Sequence, residues 1–314
     1  MTFAFTFPGQ GSQAVGMGAD LAENFAAARE VFDEVDEALG QKLSDIMWQG
    51  PEETLKLTEN AQPALMAVSL AVMRVLQKDH GFSLKDRVAY VAGHSLGEYS
   101  ALAAANALSL TDTARLLKIR GQSMQAAVPV GEGAMAALMG LELDEAKKLA
   151  EEVAGDDVCQ AANDNGSGQV VLSGTKSAID RAVEMAPEFG ARRAVLLPVS
   201  APFHCQLMQP AAKRMAEELG KVTVSAPDVP LVSNVLAREI TDSAEIVEKL
   251  VEQVTGMVRW RESVLYMASN GVNTVFEIGA GRVLSGLARR IERSLTAHSI
   301  GSAKDFDEAV SVLS

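Results

Sequence analysis

The chain has 314 residues and carries 28 Lys and Arg against 41 Asp and Glu, a formal charge of −13. With 48% apolar residues there is ample material for a folded core, which excludes disorder, and so acidic a balance argues against nucleic acid or an anionic membrane surface as partner. The two cysteines, Cys159 and Cys205, are too few for a disulfide framework and suit a reducing compartment.

The first residues lack a basic region and reach Pro8-Gly9 too soon for a secretory signal, and no apolar run approaches the ~18–20 residues of a membrane span. A soluble cytoplasmic protein, monomeric, is expected. Phe3–Phe7 reads as a strand that stops at Pro8-Gly9, followed by a Gln10-Gly11-Ser12-Gln13 loop and a helix over Asn24–Leu39. Asn60 is placed to cap a helix running to Gln77, with Pro63 near its start. Arg87–Ala92 is a strand, and an Ala/Leu-rich helix follows Gly97 as far as Leu108. Thr111-Asp112 is placed to cap the next helix, which runs to Ala127. Strand, turn and helix, repeated, predict a mostly parallel sheet covered by helices.

The pattern changes between Val128 and Val199. Strand Gly133–Leu141, helix Leu143–Ala154, strands Val158–Asn163 and Gln169–Ser173, helix Ser177–Phe189 and strand Arg193–Pro198 form a β-α-β-β-α-β order. That is the split, ferredoxin-like arrangement, here inserted into the larger unit. Beyond Ser200 come helix Pro210–Gly220, strand Pro230–Asn234, helices Ala244–Val254 and Val258–Asn270, and strand Asn273–Ile278. A Gly279-Ala280-Gly281 turn then leads to a last, basic helix, Leu284–Arg293.

The sharpest chemical feature is Gly93-His94-Ser95-Leu96-Gly97 between a strand and a helix. In a G-x-S-x-G elbow the glycines permit a sharp turn that presents the serine hydroxyl, and the helix that starts there aims free N–H groups at the same point. A Gly-rich packing turn is the alternative reading. Of the four histidines, His80 sits in a polar turn, His94 adjoins Ser95 too closely in sequence to face it, and His298 lies near the C-terminus. His204, in a loop stiffened by Pro198 and Pro202, is either the base for Ser95 or a structural loop histidine. Arg120 falls mid-helix among apolar neighbours, and a buried guanidinium demands an anion. No metal-ligand spacing, Walker loop or dinucleotide fingerprint is present, so neither metal nor cofactor is expected.

These segments occur in an order that resembles malonyl-CoA:acyl-carrier-protein transacylases. The likeness rests on Phe7-Pro8-Gly9-Gln10-Gly11-Ser12-Gln13, Gln62-Pro63-Ala64-Leu65, Gly93-His94-Ser95-Leu96-Gly97-Glu98-Tyr99, Arg120-Gly121 and Pro202-Phe203-His204-Cys205. It extends to Gln169–Gly174, Ser233-Asn234-Val235 and Glu277-Ile278-Gly279; Ala280 departs from the family's Gly-Pro-Gly turn. The resemblance implies an α/β-hydrolase-like large domain with a parallel-sheet core (1–127 and 200–314) and a small ferredoxin-like subdomain (128–199). It implies Ser95 as nucleophile, His204 as base and acid, and Gln253 as the carbonyl that orients His204. The backbone N–H groups of Gln10 and Leu96 would form the oxyanion hole, and Arg120 would grip the malonyl carboxylate. Gln62 and Met124 would line the pocket, and Phe203 would disfavour an α-methyl group. The implied partners are malonyl-CoA and an acidic acyl carrier protein, docked through a basic face formed by Arg192 and Arg193 or by Arg289 and Arg290. An esterase or thioesterase of the α/β-hydrolase type, a non-catalytic carrier-binding module and an acyltransferase of a polyketide assembly line remain as alternatives.

Overall fold

The computed structural model describes residues 2–313. Its strands are β1 (Phe3–Phe7), β2 (Val88–Gly93), β3 (Gly133–Met139), β4 (Cys159–Asp164), β5 (Gln169–Thr175), β6 (Arg193–Leu196), β7 (Leu231–Val232), β8 (Glu239–Ile240), β9 (Thr274–Ile278) and β10 (Thr296–Ile300). They form a six-stranded sheet in the order β10-β9-β1-β2-β7-β8 and a four-stranded sheet in the order β4-β5-β3-β6. In the first sheet only β8 is antiparallel, lying at the edge against β7. Every residue of β1 is buried, because a central parallel strand is covered on both faces.

One face of this sheet carries the helices Ala26–Leu39, Thr58–Lys78 and Leu110–Ala126, which pack on one another. The other face carries Trp260–Ser269 and Val283–Ile291, whose Trp260, Val264, Leu284 and Leu287 close a separate apolar layer over Ala4, Val232 and Val275. The second sheet is antiparallel throughout and has its own core, in which Leu138, Leu149, Leu172 and Ile179 meet between strands and the helices Leu143–Ala154 and Lys176–Met185. It meets the rest of the chain at β4, where Asn163 bridges to Val258 and Arg261 Nε donates to Asp164 Oδ2 at 2.8 Å.

Several expected boundaries move, each for a local reason. The helix placed at Asn24–Leu39 is two helices, Ala19–Asn24 and Ala26–Leu39, parted by the extended Phe25. Asn60 does not cap: the long helix begins at Thr58, and Asn60 lies inside it, donating from Nδ2 to the Thr54 carbonyl. Ser109, not Thr111 or Asp112, caps Leu110–Ala126, its hydroxyl accepting the Asp112 N–H at 3.0 Å. The helix after the elbow ends at Ala104 instead of Leu108, where Asn106 turns left-handed (φ 59°). The strand placed at Pro230–Asn234 keeps only Leu231–Val232, and the basic helix Val283–Ile291 is not the last element, because β10 and the helix Phe306–Leu313 follow it.

The glycines of the elbow act through space rather than through φ. A Cβ on Gly97 would stand 2.2 Å from the Phe7 carbonyl oxygen, and one on Gly93 would stand 1.9 Å from the carbonyl carbon of Gly97. The left-handed residue is Ser95 itself, at φ 55°. Both obstacles are backbone and cannot swing aside, so Gly97→Ala is expected to cost more than about 3 kcal/mol of stability, the upper end for overpacking. Denaturant unfolding measures this, and an unchanged midpoint would refute the close approach of β1 to the elbow.

Candidate active site

The elbow leaves the carboxyl end of β2, between β1 and β7, and the helix Gly97–Ala104 starts immediately behind it. Ser95 Oγ lies 2.7 Å from His204 Nε2, although 109 residues separate them. His204 is buried and also left-handed (φ 59°), in the loop that returns from the second sheet. Its Nδ1 faces two backbone carbonyls, Gln253 at 2.9 Å and Gly256 at 3.1 Å. A carbonyl can only accept, so Nδ1 carries the proton and Nε2 is left to accept the serine hydroxyl. Burial, reinforced by the nearby Arg120 charge, pulls the imidazole pKa down to about 3, which keeps His204 neutral at physiological pH with Nε2 free to accept a proton.

Arg120 is 1% exposed. Gly121 lets its helix press backbone to backbone on the start of Thr58–Lys78, where a Cβ would meet Thr58 O at 2.6 Å, and this carries the arginine inward. Nη1 donates to Gln62 Oε1 at 2.8 Å, and Nη2 donates to Gln253 Oε1 at 2.8 Å and to Ser95 Oγ at 3.1 Å. Nε has no partner, and no carboxylate among the described residues pairs with the guanidinium. Its partners are neutral amides and the serine hydroxyl. Gln62 is held at its other end by Met124, whose sulfur accepts from Nε2 at 3.7 Å.

Beside the elbow, Gln10 leaves β1 one strand away. Gly9 packs so closely on the His94 carbonyl that a Cβ there would lie 2.7 Å from its oxygen. The backbone N–H groups of Gln10 and Leu96 donate to nothing among the described residues. They are donors in want of an acceptor at the Ser95 elbow.

The hydrogen-bonded cluster therefore joins Ser95, His204, Arg120, Gln253, Gln62 and Met124. Phe203 is buried in the main core directly before His204. Arg192, Arg193, Arg289 and Arg290 are exposed and lie outside the cluster; Arg289 Nη2 donates to the Ala297 carbonyl and Arg290 Nε to the Gly286 carbonyl. Of the remaining histidines, His94 faces Asn165 Oδ1 at 3.0 Å, His298 stacks on Phe276 and exposed His80 stacks on Phe306. No group of three His, Cys, Asp or Glu among the described residues could hold a metal ion. Among the described residues no helix is long and apolar enough to cross a membrane.

Two further residues that bond to this cluster, Glu98 and Asn234, stand in the sequence motifs without an assigned role. Glu98 is 1% exposed; Oε2 accepts from Gln253 Nε2 at 2.5 Å and Oε1 accepts from the Asn234 N–H at 3.3 Å. Burial lifts its pKa to about 7, against the opposing pull of the Gln253 hydrogen bond. Asn234 touches the elbow itself, through Gly93 and Ser95. The available signal was a lone carboxylate in the otherwise uncharged run Gly97–Ala104.

The acyl transferase domain model matches residues 4–310. Curated malonyl CoA-acyl carrier protein transacylases match over almost their whole length. That of Bacillus subtilis is 45% identical over 99% of this chain and 96% of its own. That of Escherichia coli is 47% identical over 95% of each. Among solved structures, an acyl-carrier-protein-S-malonyltransferase from Bartonella henselae superposes with a TM-score of 0.97 at 58% identity, covering 100% of this chain and 99% of its own. A malonyl-transacylase solved in complex with its holo type II PKS acyl-carrier protein superposes with a TM-score of 0.96 at 41% identity, over 99% of this chain and 100% of the other. A serine, a histidine turned by backbone carbonyls and a buried arginine without a carboxylate thus stand on a scaffold shared from end to end, and the chain belongs to the acyl transferase domain family, among the malonyl CoA-acyl carrier protein transacylases.

Proposed function

We propose that this protein moves the malonyl group from malonyl-CoA to the phosphopantetheine thiol of an acyl carrier protein, through a malonyl ester on Ser95. The observation that carries this reading is the guanidinium of Arg120. It is buried, lacks a carboxylate partner and lies 3.1 Å from the nucleophile oxygen. A cation so placed calls for an acyl chain that ends in its own anion, and a planar guanidinium meets a carboxylate with two parallel bonds.

In the forward half, Ser95 Oγ attacks the thioester carbonyl while its proton passes to His204 Nε2. The Gln10 and Leu96 N–H groups receive the oxyanion; one such donor is typically worth about 3 kcal/mol of barrier. The tetrahedral centre collapses, the C–S bond breaks and the coenzyme A sulfur takes the proton from His204. In the second half the carrier thiol gives its proton to His204 and attacks the ester, and Ser95 Oγ leaves with that proton. One thioester replaces another, so the cycle requires no ATP, metal or resident cofactor. Phe203, next to the base, is read as the bulk that disfavours an α-methyl group. A hydrolase triad would put a carboxylate at His204 Nδ1, where the carbonyls of Gln253 and Gly256 stand instead. The malonyl-carrier product supplies the elongation unit of fatty acid synthesis; the alternative, a polyketide assembly line, is favoured only by the likeness to the PKS transacylase complex.

The same proposal takes the six-stranded unit (1–127 and 200–314) as an α/β-hydrolase-like domain and 128–199 as a ferredoxin-like insertion. Parallel strand order in the first and the β-α-β-β-α-β order in the second support it. Two buried, unpaired cysteines agree with a reducing cytoplasm. An acidic carrier would be met by Arg192 and Arg193, at β6, or by Arg289 and Arg290.

Intact-mass analysis after mixing with malonyl-CoA should reveal one malonyl adduct on the wild type and none on Ser95→Ala. In the same assay Arg120→Ala should lose at least tenfold in malonyl kcat/KM, from the ~1.5–3 kcal/mol of hydrogen bonds to a charged group, while acetyl transfer is kept or rises. Equal losses for both acyl groups would remove the clamp role.

Because the folded pKa of His204 is depressed to about 3, its ring resonances in NMR should stay at neutral-imidazole positions from pH 8 down to about pH 5. A midpoint near the ordinary value of about 6.5 would contradict the buried geometry.

Charge reversal at Arg192 and Arg193, or at Arg289 and Arg290, should raise KM for the carrier protein several-fold and leave the loading of Ser95 unchanged. Unaltered carrier kinetics in both pairs would place docking elsewhere.

A further inference from the structure

Ser233-Asn234-Val235 has no part in the chemistry above, yet Asn234 is wholly buried and directed at the elbow. β7 pairs with β2 only through Leu231 with Val91 and Val232 with Ala92, and then the chain turns away: Ser233 N–H bonds to Arg238 and Ala237 N–H to Ser233. Where the strand leaves the sheet, the Asn234 side chain takes its place. Nδ2 donates to the Gly93 carbonyl at 2.6 Å and Oδ1 accepts the Ser95 N–H at 2.8 Å. A primary amide has one donor end and one acceptor end, and both are spent on backbone groups two residues apart.

We propose that Asn234 is a positioning residue for acyl transfer, whose side-chain amide bridges Gly93 and Ser95 and so holds the serine in its left-handed, reactive orientation. The inference rests on Ser95 being the acylated nucleophile. The bridge is itself anchored, since the Asn234 N–H donates to Glu98 Oε1 at 3.3 Å and its carbonyl accepts the Arg259 N–H at 3.0 Å. On the far side of Ser95 the Gln253 Nε2 donates to the serine carbonyl at 2.9 Å. The peptide planes on both sides of Ser95 are therefore each fixed by an amide side chain. That fixes the direction of Oγ and also the direction of the Leu96 N–H, which belongs to the second of those planes. Neither aspartate nor alanine can do this: ionised aspartate keeps the acceptor and loses the donor, and alanine loses both.

The test is the rate of malonyl-ester formation, followed by rapid quench and intact mass, in the wild type, Asn234→Ala and the isosteric Asn234→Asp. A fluorophosphonate that labels serine nucleophiles but makes no use of Arg120 is run in parallel. The rate constants for both reagents should fall by at least tenfold in each variant, with KM for malonyl-CoA within about threefold of wild type and full final labelling. Rate constants within twofold of wild type would overturn the proposal. So would a loss confined to KM, or a lower final labelling at an unchanged rate constant, which is the mark of a partly unfolded protein. Failure of the wild type to label at Ser95 would instead overturn the reading of the reaction, and the two failures are distinct.

Discussion

Burial of Arg120 among neutral partners is the constraint around which the site is arranged. An ion taken out of water costs several kcal/mol even after relaxation, and here two glutamine oxygens and one hydroxyl stand where a carboxylate would ordinarily be. The nearest carboxyl group in the network, Glu98, whose pKa burial lifts to about 7, is kept one amide away by Gln253, which presents its oxygen to the cation and its NH2 group to the acid. The Gln253 amide thus turns the negative end of its dipole toward the guanidinium. The guanidinium is balanced without being occupied.

The second constraint is steric. Three backbones converge at the elbow: the end of β1, the turn at Ser95 and the first turn of Gly97–Ala104. They fit only because Gly93, Gly97 and Gly9 carry no Cβ. The strain of a left-handed serine is tolerated because its neighbours over-determine it, with Phe7, Asn234 and Gln253 each taking a different backbone group. Glycine here supplies proximity, and the side-chain amides supply orientation.

Much of this was legible in the chain itself. The helix Leu143–Ala154 and strand Phe3–Phe7 fall where their periodicity puts them, because each buries one continuous pattern. The elbow could be read from its glycines and its strand-to-helix setting, and the order of the other motifs drew His204 and Arg120 to it. What could not be read depended on distant partners. Asn234 and Glu98 are 136 residues apart, and neither has a spacing that announces the other. β10 was overlooked because Thr296–Ile300 is a short, half-polar edge strand whose identity comes from lying beside β9. The same holds for β8, which at two residues is too short to signal by alternation and is defined by two pairs with β7.

The carbonyl partners of His204 have a consequence for how long an acyl serine would last. A carboxylate behind an imidazole steadies the imidazolium and sharpens it as a base; two neutral oxygens do so less. Such a base is adequate for a thiol, which surrenders its proton near pH 8.5; a hydroxyl as weakly acidic as water, whose proton is held to about pH 15.7, needs the fixed 2.7 Å approach to Nε2 that Ser95 Oγ has. Choice of acceptor is thereby written partly into acidity and partly into position: sulfur can be activated by a mild imidazole once it reaches Nε2, while hydrolysis would need a water held there as closely as the serine is.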